Sequence, residues 1–183
     1  MAKFFVKLFR VIRNKKVMKY VPNGADVLDI GCGDDFYLLN NLKSKIKNGT
    51  GVDIAVKNMK TGNITIKKIR IDQKLPFKDA SFNVVTMIAF IEHLNKPEKV
   101  LADCSRVLRK NGTIIITTPM AQAKPFWELL VNFGFTEEKT TEDHKQYFSP
   151  TMVESLLRKR GFEVVVSKKF ELGMNYIAVG RKK

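Results

Sequence analysis

Strand-like and helix-like runs of apolar residues alternate along most of this chain. "DVLDIG" is a short apolar run ending in Gly31, as a buried strand would be. Leu38, Leu39, Leu42 and Ile46 then recur at helical spacing, and Gly49 is expected to stop that helix. "GTGVDI" reads as a second strand. "NITIKKIRID", with Ile64, Ile66, Ile69 and Ile71, reads as a third, and "FNVVTMI" as a fourth. Pro97 suits a first helical position. Val100, Leu101, Cys104, Val107 and Leu108 share the inward face of that helix, and Gly112 is expected to end it. "GTIIITTP" is a fifth strand. Ser149 and Pro150 open another helix, with Val153, Leu156 and Leu157 inward and Gly161 closing it. "FEVVVS" and "NYIAVG", joined by "KKFELGM", suit an antiparallel pair. Strands alternating with helices predict an α/β fold with a mostly parallel, doubly wound sheet covered on both faces. Its ligand belongs beyond the carboxyl ends of the central strands, where strand order reverses.

The front of the chain has a different pattern. Phe4, Phe5, Leu8, Val11 and Ile12 fall on one helical face, with Lys3, Lys7, Arg10 and Asn14 opposite. Residues 1–22 are therefore expected to form a basic amphipathic helix, and residues 23–183 a single domain. Such a helix either covers a pocket of the domain with its apolar face inward or rests on an anionic membrane surface. The first arrangement is the expectation, because amphipathicity alone does not separate the two.

Composition narrows the class. A chain of 183 residues suits one domain with a substantial core, and 44% hydrophobic residues is an ordinary globular profile. No stretch reaches the roughly 18 consecutive apolar residues needed to span a bilayer, and Lys and Arg interrupt the apolar residues where a leader would need them. Cys32 and Cys104 make neither a disulfide framework nor a metal-ligand spacing, so no metal is expected and a reducing cytoplasm is the default. Lys and Arg number 33 against 18 Asp and Glu, giving net +15. That balance admits nucleic acid, an anionic membrane or an acidic substrate as partner, and equally a solvated Lys-rich surface.

The chemistry concentrates in "VLDIGCGDDF". Gly31 and Gly33 let the backbone turn tightly and approach a ligand, while Asp29 ends the first strand and Asp53 the second. A carboxylate at Asp53 is placed to accept hydrogen bonds from ribose hydroxyls. A dinucleotide loop would need a third glycine three residues past the second, where Phe36 stands, and would set its pyrophosphate on the following helix. Asp34 and Asp35 occupy that ground. Like charges a few ångströms apart cost on the order of a kcal/mol each, even near a surface. An adenosine ligand carrying cations and no phosphate suits the loop better.

On these residues the chain resembles the class I S-adenosylmethionine-dependent methyltransferases, and more narrowly the small-molecule branch that includes the ubiquinone-biosynthesis methyltransferases. Six pieces agree in order and spacing: "VLDIGCG", "GVDI", "IDQKLPFKDASFNVV", "FIEHL", "LRKNGTIIITTP" and "DHKQYFSPTMVESLLRKRGFEVV". The resemblance implies a Rossmann-like, seven-stranded sheet with an antiparallel last strand, and S-adenosylmethionine as cofactor. It implies that Asp29, Gly31, Cys32 and Gly33 line the methionine portion, and that Asp53 takes the ribose diol with Ile54 packed on adenine. Asp72 and Gln73 would hold the adenine edge, and Ile88 and Ala89 would form the wall beside the sulfonium. The family's third glycine is Asp35 here, which is expected to serve as a helix N-cap.

Two histidines could act as a base toward the acceptor: His93 in "FIEHL" and His144 in "EDHKQYFSP", the latter with Tyr147. Methyl transfer from a sulfonium neutralises charge in an in-line displacement, so alignment supplies much of the acceleration and a base is needed only for some acceptors. Cys32 is expected to be a small packing residue. The expected acceptor is a small or lipid-like molecule. RNA is the alternative acceptor, and a catalytically silent binding protein the alternative class. Cytoplasmic location follows, with peripheral contact to the inner membrane face through the first helix left open.

Overall fold

In a computed structural model, which describes residues 2–71, 74–123 and 147–183, the alternation resolves into a single mixed sheet. In chain order the elements are α1 (Ala2–Met18), β1 (Asp26–Ile30), α2 (Tyr37–Leu42), β2 (Asn48–Asp53), β3 (Met59–Thr61) and β4 (Ile64–Lys68). They continue with β5 (Phe82–Ile88), α3 (Pro97–Val107), β6 (Leu108–Pro119), α4 (Pro150–Lys159), β7 (Phe162–Phe170) and β8 (Asn175–Lys182). The strand order is β3-β4-β2-β1-β5-β6-β8-β7. Strands β4, β2, β1, β5 and β6 are parallel, and β8 runs antiparallel to both β6 and β7.

Eight strands stand where seven were expected. The additional one is β3, three exposed residues paired antiparallel with β4 at the sheet edge. It carries no apolar alternation to betray it. The tight turn at Gly62 (φ 56) creates it by folding the chain back on β4.

Period-two alternation divides the core between the two sheet faces. Leu28, Ile30, Val85, Met87, Ile114 and Ile116 pack with Leu101 and Cys104 of α3 and with Val153 and Leu157 of α4. Val27, Val84, Ile115, Ile64 and Ile66 pack on the other side with Val17, Leu38, Leu39 and Leu42. Fully burying one such side chain contributes about 1.5–3 kcal/mol.

Two glycines read as helix stops lie inside strands. Gly49 belongs to β2, where a Cβ would come 2.6 Å from Ile64 Cδ1. Its role is close packing, and α2 ends earlier, at Leu42. Gly112 belongs to β6, beside Asn111 in the left-handed region (φ 61) and close to the register shift between Phe82 and Val84. Here α3 passes into β6 without a loop. Elsewhere the stop and start signals hold: Ser149 caps α4 by accepting from the Met152 N–H at 3.2 Å, and Gly161 (φ 82) follows the helix.

The first helix forms, but it is turned over. Leu8 and Ile12 are about 40% exposed, whereas Asn14 and Val17 are buried. The stripe that faces the domain is Arg10, Arg13, Asn14 and Val17, and the apolar side chains of residues 8 and 12 look outward. For Leu8 and Ile12 the expected inward apolar face is thus corrected, while the side chains of Phe4 and Phe5 lie outside the described ones. Beneath the helix Arg10 pairs with Asp35, and Arg13 lies among the charges of Glu171 and Glu92, which favours turning the cationic stripe inward. No helix among the described residues is long and apolar enough to cross a membrane.

Candidate active site

Strand order reverses between β1 and β5, and a crevice opens beyond the carboxyl ends of β1, β2 and β5. Two cavities share it. One, of about 430 Å³, is lined by Asp29, Gly31, Cys32, Gly33, Ile88 and Ala89. The other, of about 500 Å³, is lined by Asp53 and Ile54 among others, and His93 borders both. The Phe90 ring, which lines the second, packs on Gly31, which lines the first. A Cβ on Gly31 would lie 2.1 Å from Phe90 Cδ2. Absence of a side chain at residue 31 is therefore used by a neighbour's ring, and Gly31 also has φ 75. Gly33 (φ 69) has nothing within 4 Å of its Cβ position and leaves open space at the crevice.

Alternation along β1 sends Asp29 to the same face as Val27, toward α1 and α2. The carboxylate is only 3% exposed, and its Oδ1 accepts a hydrogen bond from Thr86 Oγ1 at 2.6 Å. Burial pushes its pKa up to about 7, with Asp53 adding like-charge repulsion and the Thr86 bond opposing. Asp53 is committed locally: Oδ2 accepts from the Gly33 N–H at 3.1 Å and Oδ1 from the Ala55 N–H at 2.9 Å. It ties the glycine loop to the end of β2, and a carboxylate oxygen retains lone pairs for a further donor.

Cys32 is buried against Gly51, and burial, with Asp29 and Asp53 nearby, pushes its thiol up to about 12. At neutral pH it is a protonated packing group. Ile54 is 60% exposed at the mouth of the second cavity. Ala89, in the left-handed region (φ 48), donates its N–H to the Thr117 carbonyl at 2.9 Å and its hydroxyl at 3.2 Å. This holds the end of β5 against β6. Asp72, Gln73 and His144 lie outside the described residues. Tyr147 is half-buried in the extended segment before α4.

Asp35 is not an N-cap. Phe36 holds that position in the left-handed conformation (φ 36) with no side-chain cap. The Asp35 carboxylate instead pairs with Arg10 of α1, and its carbonyl accepts from Asn40 Nδ2 at 2.9 Å. The Arg10 guanidinium also lies 4.6 Å from the Tyr37 ring centroid.

Residues that sequence reading missed complete the first cavity: Arg10, Arg13, Asn14 and Asn175. Arg13 is desolvated, which lowers its pKa, while the charges of Glu171 and Glu92 raise it. Glu92 precedes His93 in "FIEHL". It is fully buried in the turn Ile91–His93, and burial raises its pKa. Its Oε2 accepts from Thr118 Oγ1 at 3.1 Å, while Oε1 has no partner among the described residues. Asn175 donates Nδ2 to Glu171, leaving Oδ1 without a partner among the described residues. The i, i+4 pairs Arg10–Asn14 and Arg13–Val17 were the available signal for an inward stripe on α1. Nothing local marks Asn175 except one polar residue opening an apolar strand.

Comparison with known proteins adds the following. A family model described as a methyltransferase domain matches residues 7–167. Curated ubiquinone biosynthesis O-methyltransferases are similar in sequence. That of Nitrosococcus oceani is 24% identical, covering 91% of this chain and 83% of its own length. That of Maricaulis maris is 27% identical, covering 87% and 72%. Among solved structures, a SAM-dependent methyltransferase from Thermotoga maritima superposes with a TM-score of 0.71 at 20% identity, covering 98% of this chain and 92% of that one. One from Aquifex aeolicus gives 0.69 at 18% identity, covering 93% and 89%.

Proposed function

The chain belongs to the methyltransferase-domain family, and from that premise we propose that it transfers a methyl group from S-adenosylmethionine to a small or lipid-like acceptor. One observation carries the choice of donor. Glu92 Oε1 and Asn175 Oδ1 are buried acceptors without partners among the described residues, and both residues line the same cavity as Asp29. Such atoms are costly unless a ligand brings donors. An α-ammonium supplies such donors, and the neighbouring sulfonium adds a positive charge facing the carboxylates.

S-adenosylmethionine supplies an electrophilic methyl on a positively charged sulfur. In this reading Asp29 and Glu92 face the cationic portion, and Arg10 and Arg13 stand ready for a carboxylate. Asp53 and Ile54 serve the ribose and adenine side, together with Asp72 and Gln73. Ile88 and Ala89 form an apolar wall that keeps water from the reacting line. Orienting the acceptor is the main work, because the displacement neutralises charge. His93, which borders both cavities, and the pair His144 and Tyr147 are the candidate bases for an acceptor hydroxyl.

Calorimetric titration with S-adenosylmethionine, followed by transfer of labelled methyl to a panel of phenols, amphiphiles and oligoribonucleotides, tests this reading. No heat of binding at millimolar donor would leave a silent binding protein as the better description.

The outward face of α1 favours a peripheral membrane role alongside this activity. Leu8 and Ile12, each about 40% exposed, are flanked by exposed Lys7 and Lys15. That composition suits an anionic bilayer surface and an amphiphilic acceptor. Co-sedimentation with phosphatidylglycerol vesicles should fall when Leu8 and Ile12 are both replaced by Ser. Equal binding by the variant would remove the membrane role.

A further inference from the structure

An α-ammonium held at Asp29 cannot also reach Asn175. Register carries Asp29 of β1 through Thr86 and Ile115 to Val179 of β8, and Asn175 lies four residues along the strand from Val179. Sideways, β1 and β8 are three strand spacings apart, roughly 14 Å. Glu92 is bonded to Thr118 of β6, a strand between those two, and is the unpartnered acceptor nearer the donor. The Asn175 end of the first cavity is left for a second molecule.

That end is built to present one kind of atom. Glu171 (φ 51), Leu172 (φ 55) and Gly173 (φ 84) turn the chain from β7 into β8 through the left-handed region. Two of the three are not glycine, and tertiary bonds hold the turn. Gln122 Nε2 donates to the Gly173 carbonyl at 2.9 Å, and the Met120 N–H to the Met174 carbonyl at 2.8 Å. The turn sets the Glu171 carboxylate against Asn175 Nδ2. A carboxylate only accepts, whereas an amide has one donating and one accepting end. Glu171 therefore takes the amide NH2 and leaves Oδ1 for the cavity that Asn175 lines; the residue is fully buried and that oxygen has no partner among the described residues. Burial raises the Glu171 pKa, and the Arg13 charge and the Asn175 bond oppose that rise. A neutral amide oxygen in a cavity that Arg13 also lines suits an uncharged O–H or N–H better than an ammonium. A phosphate or carboxylate oxygen has no proton to give it.

Resting on the donor assignment above, we propose that Asn175 is a specificity-determining residue for the methyl acceptor, its Oδ1 receiving a hydrogen bond from an uncharged O–H or N–H group of that molecule. Glu171 is the positioning residue that sets the direction of the amide.

Phenol and aniline are the probes, and anisole, with the same ring and no proton to donate, is the reference. Each is titrated by ligand-observed NMR into protein saturated with S-adenosylhomocysteine. Wild-type protein should bind phenol or aniline roughly fivefold more tightly than anisole, and the tighter of the two names the group. In Asn175→Leu that preference should vanish while S-adenosylhomocysteine binding changes less than threefold. Glu171→Gln, whose Oε1 still accepts from Nδ2, should keep the preference. Glu171→Leu, which frees the amide to turn over, should lose most of it. Equal binding of all three probes by wild-type protein would overturn the assignment whatever the variants do, as would an undiminished preference in Asn175→Leu. A tenfold loss of S-adenosylhomocysteine binding in that variant, at an unchanged melting temperature, would overturn it by giving Asn175 to the donor. Should Asn175→Leu fail to fold, the wild-type preference and the two Glu171 variants decide. Absence of S-adenosylhomocysteine binding by wild-type protein would instead strike the donor assignment, and the probe preference is then read on the protein alone.

Discussion

Arg10 of α1 and Asp35 of the glycine loop form an ion pair across the mouth of the first cavity. The residue standing where the family pattern has glycine thus holds the helix that closes the crevice. Both side chains are more than a third exposed, so the pair itself contributes at most about 1 kcal/mol. Its effect is on position. Arg10→Ala or Asp35→Gly should lower the melting temperature little but speed hydrogen exchange along α1 and weaken S-adenosylmethionine binding several-fold. The charge-swapped double variant, Arg10→Asp with Asp35→Arg, should recover much of the loss. Unchanged exchange in α1 after either single substitution would show that the pair does not hold the helix.

Asp29 predicts a pH dependence. Its folded pKa, about 7, is above the ordinary 3.8, so the native state binds the proton more tightly than the unfolded chain. Its contribution to stability is therefore greatest below the unfolded value and is lost as pH rises through about 7. Donor affinity should move the opposite way, rising through the same range as the carboxylate ionises to meet the ammonium. In Asp29→Asn the pH dependence of affinity should flatten, affinity at pH 8 should fall at least tenfold, and the protein without ligand should be more stable at neutral pH. Thermal melts and titrations from pH 5.5 to 8.5 read all three.

The two loop glycines should respond differently to alanine. At Gly31 the new methyl meets the Phe90 ring and φ is positive, so Gly31→Ala should destabilise by about 1–3 kcal/mol. Adding Phe90→Ala should restore part of that. At Gly33 only the conformational cost applies, about 1–2 kcal/mol, and the second substitution should not help. Denaturant unfolding of the four variants separates the cases.

Cys32 should be inert. With its thiol pushed up to about 12 it should react with iodoacetamide far more slowly than free cysteine, and Cys32→Ala should keep methyl transfer within a few-fold of wild type. Rapid alkylation that donor binding fails to slow would contradict the buried placement.

Reading the chain alone located β1, β2, β5 and α4 closely, because each is a compact apolar run with its own terminating residues. It also located the loop from Asp29 to Asp35 and the partner carboxylate at Asp53, since turn chemistry and short spacing are written locally. Three things were not legible. Gly49 and Gly112 signal a stop equally well as a place where a neighbour's side chain or a bulge leaves no room, and only packing against Ile64 or the β5 register tells these apart. The direction in which α1 faces depends on Asp35, 25 positions from Arg10, and on Glu92 and Glu171, 79 and 158 positions from Arg13, which come near only when the sheet is assembled. The second cavity gathers Asp53 from β2, Arg70 from beyond β4 and two lysines from the start of α3, so its lining is unreadable until strand order brings those segments together. Local spacing specifies turns and faces, whereas the balance of charge around a cavity is a sum over residues that the chain itself keeps far apart.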